Sequence, residues 1–229
     1  MANQGQIYTL TIINNSANTG DACVYQKPPD GSNPNMMSLA WLTKRAHPST
    51  TIEMDWTIDY SFVWSQTGLL RPGVKFTASQ NIPANLDTQN QVNFTKSDGA
   101  YTFKPIPPQQ GPRSGSLYIM EDDTIPLNEA SVGVGMSGSG TFALQAQPNL
   151  NLTFTPHPEY WISFGNFTKG TVLDTQSITG AAAVQFPYNV YAMTAVLGID
   201  NKWTIKPTSQ MNTEYLQARE KNAEVAWGE

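Results

Sequence analysis

The chain reads as an all-β protein, a large antiparallel β-sandwich of jelly-roll-like or similar design with an amphipathic helix at its C-terminus. Three observations predict it. Phe142, Leu144 and Ala146 alternate with polar or small neighbours, and Leu150, Leu152 and Phe154 do the same after Pro148-Asn149. A period of two belongs to a strand with one buried face. Runs of this kind recur along the whole chain, short and separated by Gly, Pro, Asn and Asp, at a spacing that suits a many-stranded sandwich or barrel rather than a parallel α/β sheet. One stretch alone, after residue 210, has the composition of a helix.

Taken in order, the first strand is predicted over 6–13, where Tyr8, Leu10 and Ile12 share one face, and residues 14–21 form an Asn-rich turn. Strands follow at 22–26, 37–42, 51–56, 60–64 and 74–79, with a Pro/Gly/Asn loop over 27–35. Those at 91–95 and 100–103 flank Ser97-Asp98-Gly99, a hairpin signal because Asp-Gly suits positive φ. A loop over 104–116 carries four prolines and two glycines. Beyond it strands are predicted at 117–120, 131–134, 141–146, 150–155, 160–164, 171–173, 184–186, 191–197 and 203–206. No composition shift or internal repeat divides this region, so residues 1–208 are expected to form a single sandwich domain, with 209–229 as a helical extension.

In that extension Asn212 is the expected N-cap, with Glu214 in the first turn and Met211 and Leu216 as a hydrophobic staple. Leu216, Ala223 and Trp227 form a narrow apolar stripe. A short isolated helix is marginal in water, so this one should dock on its own sandwich or on a neighbouring subunit. Met211, Tyr215, Leu216, Ala223 and Trp227 are therefore the candidate assembly residues.

The bulk numbers exclude several functions. Of 229 residues, 39% are hydrophobic and only 14% charged, the deficit being filled by Asn, Gln, Ser and Thr. A weakly charged surface resists self-association less than a charged one. The net charge of −5 and the absence of any Lys/Arg cluster argue against nucleic acid and against charge-driven binding to anionic membranes. Cys23 is the single cysteine, so no intramolecular disulfide forms. The start, Met1-Ala-Asn-Gln-Gly-Gln, lacks a signal peptide's basic and apolar regions, and no apolar run reaches the roughly 20 residues of a membrane span. Together these favour a cytoplasmic protein, with leaderless export left open, and make the sequons at Asn14, Asn93, Asn151 and Asn166 irrelevant to glycosylation.

Motifs that carry chemistry do not survive their context. Gly133-Val-Gly-Met-Ser-Gly138 matches the dinucleotide fingerprint by letter, yet the segment after it is a strand, where the chemistry needs a helix N-terminus. A glycine turn or bulge between strands is the expectation. Ser137 and Ser139 lack the G-x-S-x-G register of a nucleophile elbow, and both histidines, His47 and His157, precede prolines in loops. Cys23, His47 and His157 have no zinc spacing, and Glu121-Asp122-Asp123 lacks the alternation of a calcium loop. The sequence thus predicts no catalytic residue, no metal and no cofactor. Trp41, Trp56, Trp64, Tyr60, Tyr160, Trp161 and Trp203 could stack on sugars, but aromatics in strands more often fill a core. Tyr160, Trp161 and His157 are retained as the candidate ligand-binding residues.

Several segments resemble the bacterial rhizosphere-expressed RhiA family: Tyr8-Thr-Leu-Thr-Ile-Ile-Asn-Asn-Ser, Leu39-Ala-Trp-Leu-Thr-Lys, Tyr60-Ser-Phe-Val-Trp-Ser-Gln-Thr-Gly, Val132-Gly-Val-Gly-Met-Ser-Gly-Ser-Gly-Thr-Phe and Phe154-Thr-Pro-His-Pro-Glu-Tyr-Trp-Ile. The similarity runs from about residue 6 to about 207 and leaves the helix outside it. It implies an abundant protein of population-density-regulated, host-associated bacterial life, and it transfers no catalytic residue. The resulting expectation is a non-enzymatic protein whose partner is a second copy of itself, in a homo-oligomer or filament. The alternatives are a carbohydrate- or lipid-head-group-binding module and a leaderless, membrane-active effector.

Overall fold

The computed structural model describes residues 5–29, 31–107 and 113–226, with side chains up to Arg219 in the terminal helix. Over these residues the chain is all-β with one C-terminal helix. Its strands, in order, are β1 (Ile7–Asn14), β2 (Gly20–Gln26), β3 (Met37–Ser38), β4 (Leu42–Ala46), β5 (Thr50–Thr57), β6 (Tyr60–Ser65), β7 (Gln80–Ala84), β8 (Gln91–Ser97) and β9 (Ala100–Pro105). They continue as β10 (Leu117–Glu121), β11 (Ser131–Met136), β12 (Ser139–Gln145), β13 (Asn151–Phe154), β14 (Tyr160–Gly165), β15 (Ala182–Val184), β16 (Ala192–Leu197) and β17 (Trp203–Pro207), followed by α1 (Thr208–Ala226).

The strands make four sheets, ordered β17-β16-β1-β5, β15-β14-β2-β4, β3-β12-β11-β6-β7 and β13-β10-β8-β9. Ladders are antiparallel except for β1 with β16 and β8 with β10, which are parallel. The sheets work in pairs. Leu10, Ile12, Trp56, Met193 and Ala195 of the first sheet meet Val24, Tyr160, Ile162 and Val184 of the second in one core. Phe62, Val132, Val134 and Leu144 of the third sheet meet Phe94, Phe103, Ile119 and Leu152 of the fourth in another. Alternation dictates this. Leu10 and Ile12 are fully buried while Thr9 and Thr11 between them are half-covered, and the predicted faces of β12 and β13 are likewise those that close the second core. Phe94 stacks 5.6 Å from Tyr101 and 5.3 Å from Phe103 across the β8–β9 ladder, a contact spacing at which aromatic pairs add to simple burial.

Both glycine-containing hairpins form as two-residue turns of positive φ. Asp98 (52°) and Gly99 (80°) join β8 to β9, and Ser137 (50°) and Gly138 (72°) join β11 to β12. The fingerprint-like run is thus structural. Gly138 supplies the turn, and a Cβ on Gly133 would lie 2.0 Å from the Phe142 carbonyl oxygen of the neighbouring strand. The ladder shifts register between Val134 and Gly135, where β12 carries Thr141 as an extra residue whose hydroxyl donates to the Val134 carbonyl at 3.0 Å.

Several elements differ from expectation. The strand predicted over 171–173 makes only isolated bridges, Thr171 to Lys75 and Val172 to Leu39, and the one predicted over 184–186 forms two residues earlier as β15. The strand predicted over 37–42 is two strands in two different sheets, β3 and β4, because the chain crosses between the sheet pairs at Leu39-Ala40-Trp41, all fully buried. The segment 74–79 is a connection with one bridge, Lys75 to Thr171, and the strand forms later as β7, around Pro83. β7 lies at a sheet edge, where a missing N–H breaks no ladder. The helix starts at Thr208, so Asn212 lies inside it and is not its N-cap. Pro207 ends β17 and directly precedes the first helical residue, a position where proline costs no intrahelical hydrogen bond. Glu214 accordingly sits in the second turn, its two carboxylate oxygens 2.8 and 2.7 Å from Lys206 Nζ.

One polar group is buried against its chemistry. Glu121, at the end of β10, is 3% exposed; one carboxylate oxygen accepts the Gln147 N–H at 2.8 Å and the other has no partner among the described residues. Burial pushes its pKa up to about 8, against the opposing pull of that hydrogen bond. Folding therefore tightens proton binding, and the associated stability is complete below about pH 4.5 and lost as pH rises through about 8. Urea unfolding should show stability falling between pH 5 and 8 by up to about 1.4 kcal/mol per pH unit. Glu121→Gln should flatten that slope, and an unchanged slope would refute the assignment. Gly133→Ala should lower the unfolding free energy by about 2 kcal/mol or more, as forced overpacking against a backbone does.

Candidate functional site

The candidate ligand residues lie at one end of the first sheet pair. Here the start of β14 runs beside β15, pairing Tyr160 with Val184 and Trp161 with Ala183. Together with Tyr8, Ile58 and the segment 183–186 they enclose an open cleft of about 410 Å3. Its lining mixes Tyr8, Ile58 and Phe186 with the carboxylate of Glu159 and the amide of Gln185.

Strand alternation sends Tyr160 and Trp161 to opposite faces of the second sheet. Tyr160 points into the core, 5.0 Å from Trp56 and 6.0 Å from Trp41, while Tyr8 lies 5.1 Å from Phe186 in an edge-on contact. Neither the Tyr160 hydroxyl nor the Trp56 indole N–H has a hydrogen-bond partner among the described residues. Burial pushes the Tyr160 phenol up to about 12; the nearby Trp56 N–H, outside hydrogen-bond geometry, opposes that shift. Tyr160 is thus chiefly a core residue with one edge toward the cleft.

Trp161 packs on the outer face, where it covers the cluster of Cys23, Tyr25, Ala40 and Leu173 together with Phe167, Ile178 and Ala181. Lys27 Nζ stands 3.3 Å from the centre of its ring, a cation–π contact that occupies one indole face. His157 is exposed in the β13–β14 connection and is not part of the cleft lining, so the three predicted residues do not form one cluster. Glu159, Gln185, Ile58 and Phe186 were not foreseen. Ile58 and Glu159 come from loops, and Gln185 and Phe186 lie just past β15, although the sequence predicts a strand over 184–186.

The residues weighed for chemistry have structural partners. Ser137 Oγ accepts the Thr57 N–H at 3.2 Å, and its own N–H donates to the Asp59 carbonyl at 3.0 Å. Cys23 is fully buried, which pushes its thiol up to about 12. Asp122 accepts the Thr124 N–H at 3.0 Å and the Asn93 amide at 3.3 Å, closing the turn after β10. No group of three or more His, Cys, Asp or Glu among the described residues is arranged to hold a metal ion. No helix among them is long and apolar enough to cross a membrane.

The candidate assembly residues lie on α1, which starts at the same end as the cleft because β17 finishes opposite Met193, near the start of β16. Thr208, Met211 and Glu214 are half-buried, and from Tyr215 to Arg219 every side chain is exposed. Tyr215 is 65% and Leu216 54% accessible. The helix therefore touches the body through its first two turns alone among the described side chains. The Ala223 side chain and all of Trp227 lie outside the described residues. Ile7, Ile58, Tyr188 and Tyr191, all large and exposed, gather at this end, with Tyr188 at 93%.

Comparison with known proteins follows this geometry closely in extent. The family model described as RhiA matches residues 5–208, which spans every strand and stops at the first residue of the helix. Protein RhiA of Rhizobium leguminosarum bv. viciae is 42% identical over 207 residues, covering 89% of this chain and 88% of that protein. No solved structure matches. The resemblance first read from its strand and turn motifs holds over the entire β body, and the chain belongs to the RhiA family.

Proposed function

We propose that this RhiA-family protein is non-enzymatic and acts as a self-associating β-sandwich protein, with α1 and the apolar end of the body forming the contact with a second copy. The carrying observation is that the described side chains of α1 are exposed after its first two turns, at the end of the body where Ile7, Ile58, Tyr188 and Tyr191 are exposed. A short helix whose described side chains from Tyr215 to Arg219 are all exposed is marginal in water by itself. Clustered exposed apolar side chains mark an interaction surface where scattered ones do not. Few charges oppose the approach of another copy. The non-enzymatic reading is supported by the structural engagement of Ser137 and Cys23, the side chains nearest to a nucleophile.

A second reading is a binding module for a glycan or lipid head group at the aromatic cleft. Its support is a volume within the range of small-ligand sites and the meeting of apolar walls with Glu159 and Gln185.

Light scattering on a sizing column should give the full chain a mass at least twice its 25.1 kDa. Deleting residues 211–229 should reduce it toward the monomer, as should Tyr188→Glu, whose side chain touches little of the fold. A monomeric full chain, or an assembly untouched by both changes, refutes self-association. For the second reading, Glu159→Ala should weaken binding to a glycan or liposome panel about ten-fold without lowering Tm. Equal binding by variant and parent would rule that cleft out.

A further inference from the structure

A second cleft, of about 450 Å3, opens at the opposite end of the first sheet pair, and no chemistry discussed so far uses it. Its apolar walls are Phe164, from β14, and Trp203, the first residue of β17. Its polar walls are Asn18 and Thr19 from the β1–β2 loop, Thr179 from the segment before β15, and Asn201 from the β16–β17 turn. None of its lining residues is ionisable, which sets it apart from the cleft beside Glu159.

The walls are fixed by the fold itself. The Trp203 indole N–H donates to the Gly180 carbonyl at 3.0 Å, setting the orientation of the ring. The Asn18 amide donates to the Asn201 side-chain oxygen at 3.0 Å, bridging two loops 183 residues apart in sequence. Beneath them, the fully buried Asn14 donates to the Asn18 carbonyl at 2.8 Å and accepts from the Ser16 N–H at 3.0 Å, while Ser16 Oγ accepts the Asn18 N–H at 3.2 Å. Buried polar side chains thus hold the loop from below, so little ordering cost remains for a ligand to meet. The Asn18 side-chain oxygen, the Asn201 amide nitrogen and the Thr179 hydroxyl make no hydrogen bond among the described residues.

This composition selects a chemical class. A charged ligand would find no counter-charge. A purely apolar one would strip water from amides and hydroxyls without replacing their hydrogen bonds. A neutral sugar satisfies both walls, with its C–H face on the aromatic rings and its hydroxyls on the amides and threonines. We propose that this cleft binds an uncharged glycan, as a terminal sugar or short neutral segment.

The test titrates the full chain with cello-, chito-, xylo-, manno- and galacto-oligosaccharides, read by saturation-transfer NMR and tryptophan fluorescence. At least one series should bind, with an affinity that changes less than two-fold between about 0.05 and 0.5 M salt. Asn201→Gly removes the amide at a residue with φ of 59°, which glycine accepts, and Thr179→Val removes only a hydroxyl. Each should weaken binding about ten-fold, and Trp203→Ala should abolish it. Should Trp203→Ala fail to fold, the double variant Asn201→Gly/Thr179→Val carries the test. Silence across the panel at tens of millimolar, steep salt dependence, or full binding by the double variant Asn201→Gly/Thr179→Val overturns the assignment. None of these outcomes bears on self-association, which rests on the other end of the molecule.

Discussion

The indole N–H of Trp41, fully buried, donates to the Met136 carbonyl at 2.8 Å, and the two halves of the molecule depend on that bond. Met136 ends β11 in the third sheet, yet its side chain belongs to the core between the first and second sheets. Trp41 ends the buried crossing from β3 to β4, and its ring stacks on Tyr160 and meets Trp56 edge-on in that same core. The buried crossing from one sheet pair thus meets the end of β11 from the other at a buried polar contact. An unpaired indole or carbonyl there would carry the full desolvation penalty, so the hydrogen bond fixes how the pairs approach each other. Tyr60 packs against both cores beside it, which makes the junction continuous with the hydrophobic interior on either side.

How much of this could be read beforehand follows the range of the forces involved. The hairpins at Asp98-Gly99 and Ser137-Gly138 were legible because positive φ is a local requirement that few residues meet. The faces of β1, β12 and β13 were legible because alternation is local too. The crossing at Leu39–Trp41 was not. A continuous apolar run looks the same whether it stays in one sheet or passes between two, and only the partner strands decide. β7 was displaced from 74–79 for a related reason: Pro83 counts against a strand until its edge position is known. The helix start was misplaced because Asn212 has the chemistry of a cap, whereas β17 passes directly into the helix through Pro207, and tertiary context overrides propensity.

The candidate sites were less legible than the fold. Tyr160 and Trp161 were expected to act together, but neighbours on a strand face opposite ways, and that rule sends one into the core and the other under Lys27. Trp41, Trp56 and Trp64 proved to be core residues, which agrees with the ordinary role of indoles in strands. Trp203 differs because a hydrogen bond to Gly180 holds it at the rim of a cleft. That cleft draws on residues near 18, 164, 179 and 201, and no local pattern joins positions so far apart.

The parallel ladder between β1 and β16 explains why the two ends of the body differ. Parallel neighbours begin at the same end, so Ile7 and Tyr8 come to lie with Tyr191, and β17, running back, delivers the helix to that place. The same ladder carries Asn14, Leu197 and the Asn201 turn together at the far end. An antiparallel pairing would have mixed apolar starts with polar turns at both ends. One backbone choice therefore segregates an apolar, helix-bearing end from a polar, preorganised one. Contact between copies at the first would leave the second open to solvent, so assembly and ligand capture do not compete for surface. An assembled protein would then display one neutral cleft per subunit, and multivalent display is how weak individual sugar contacts become useful affinity.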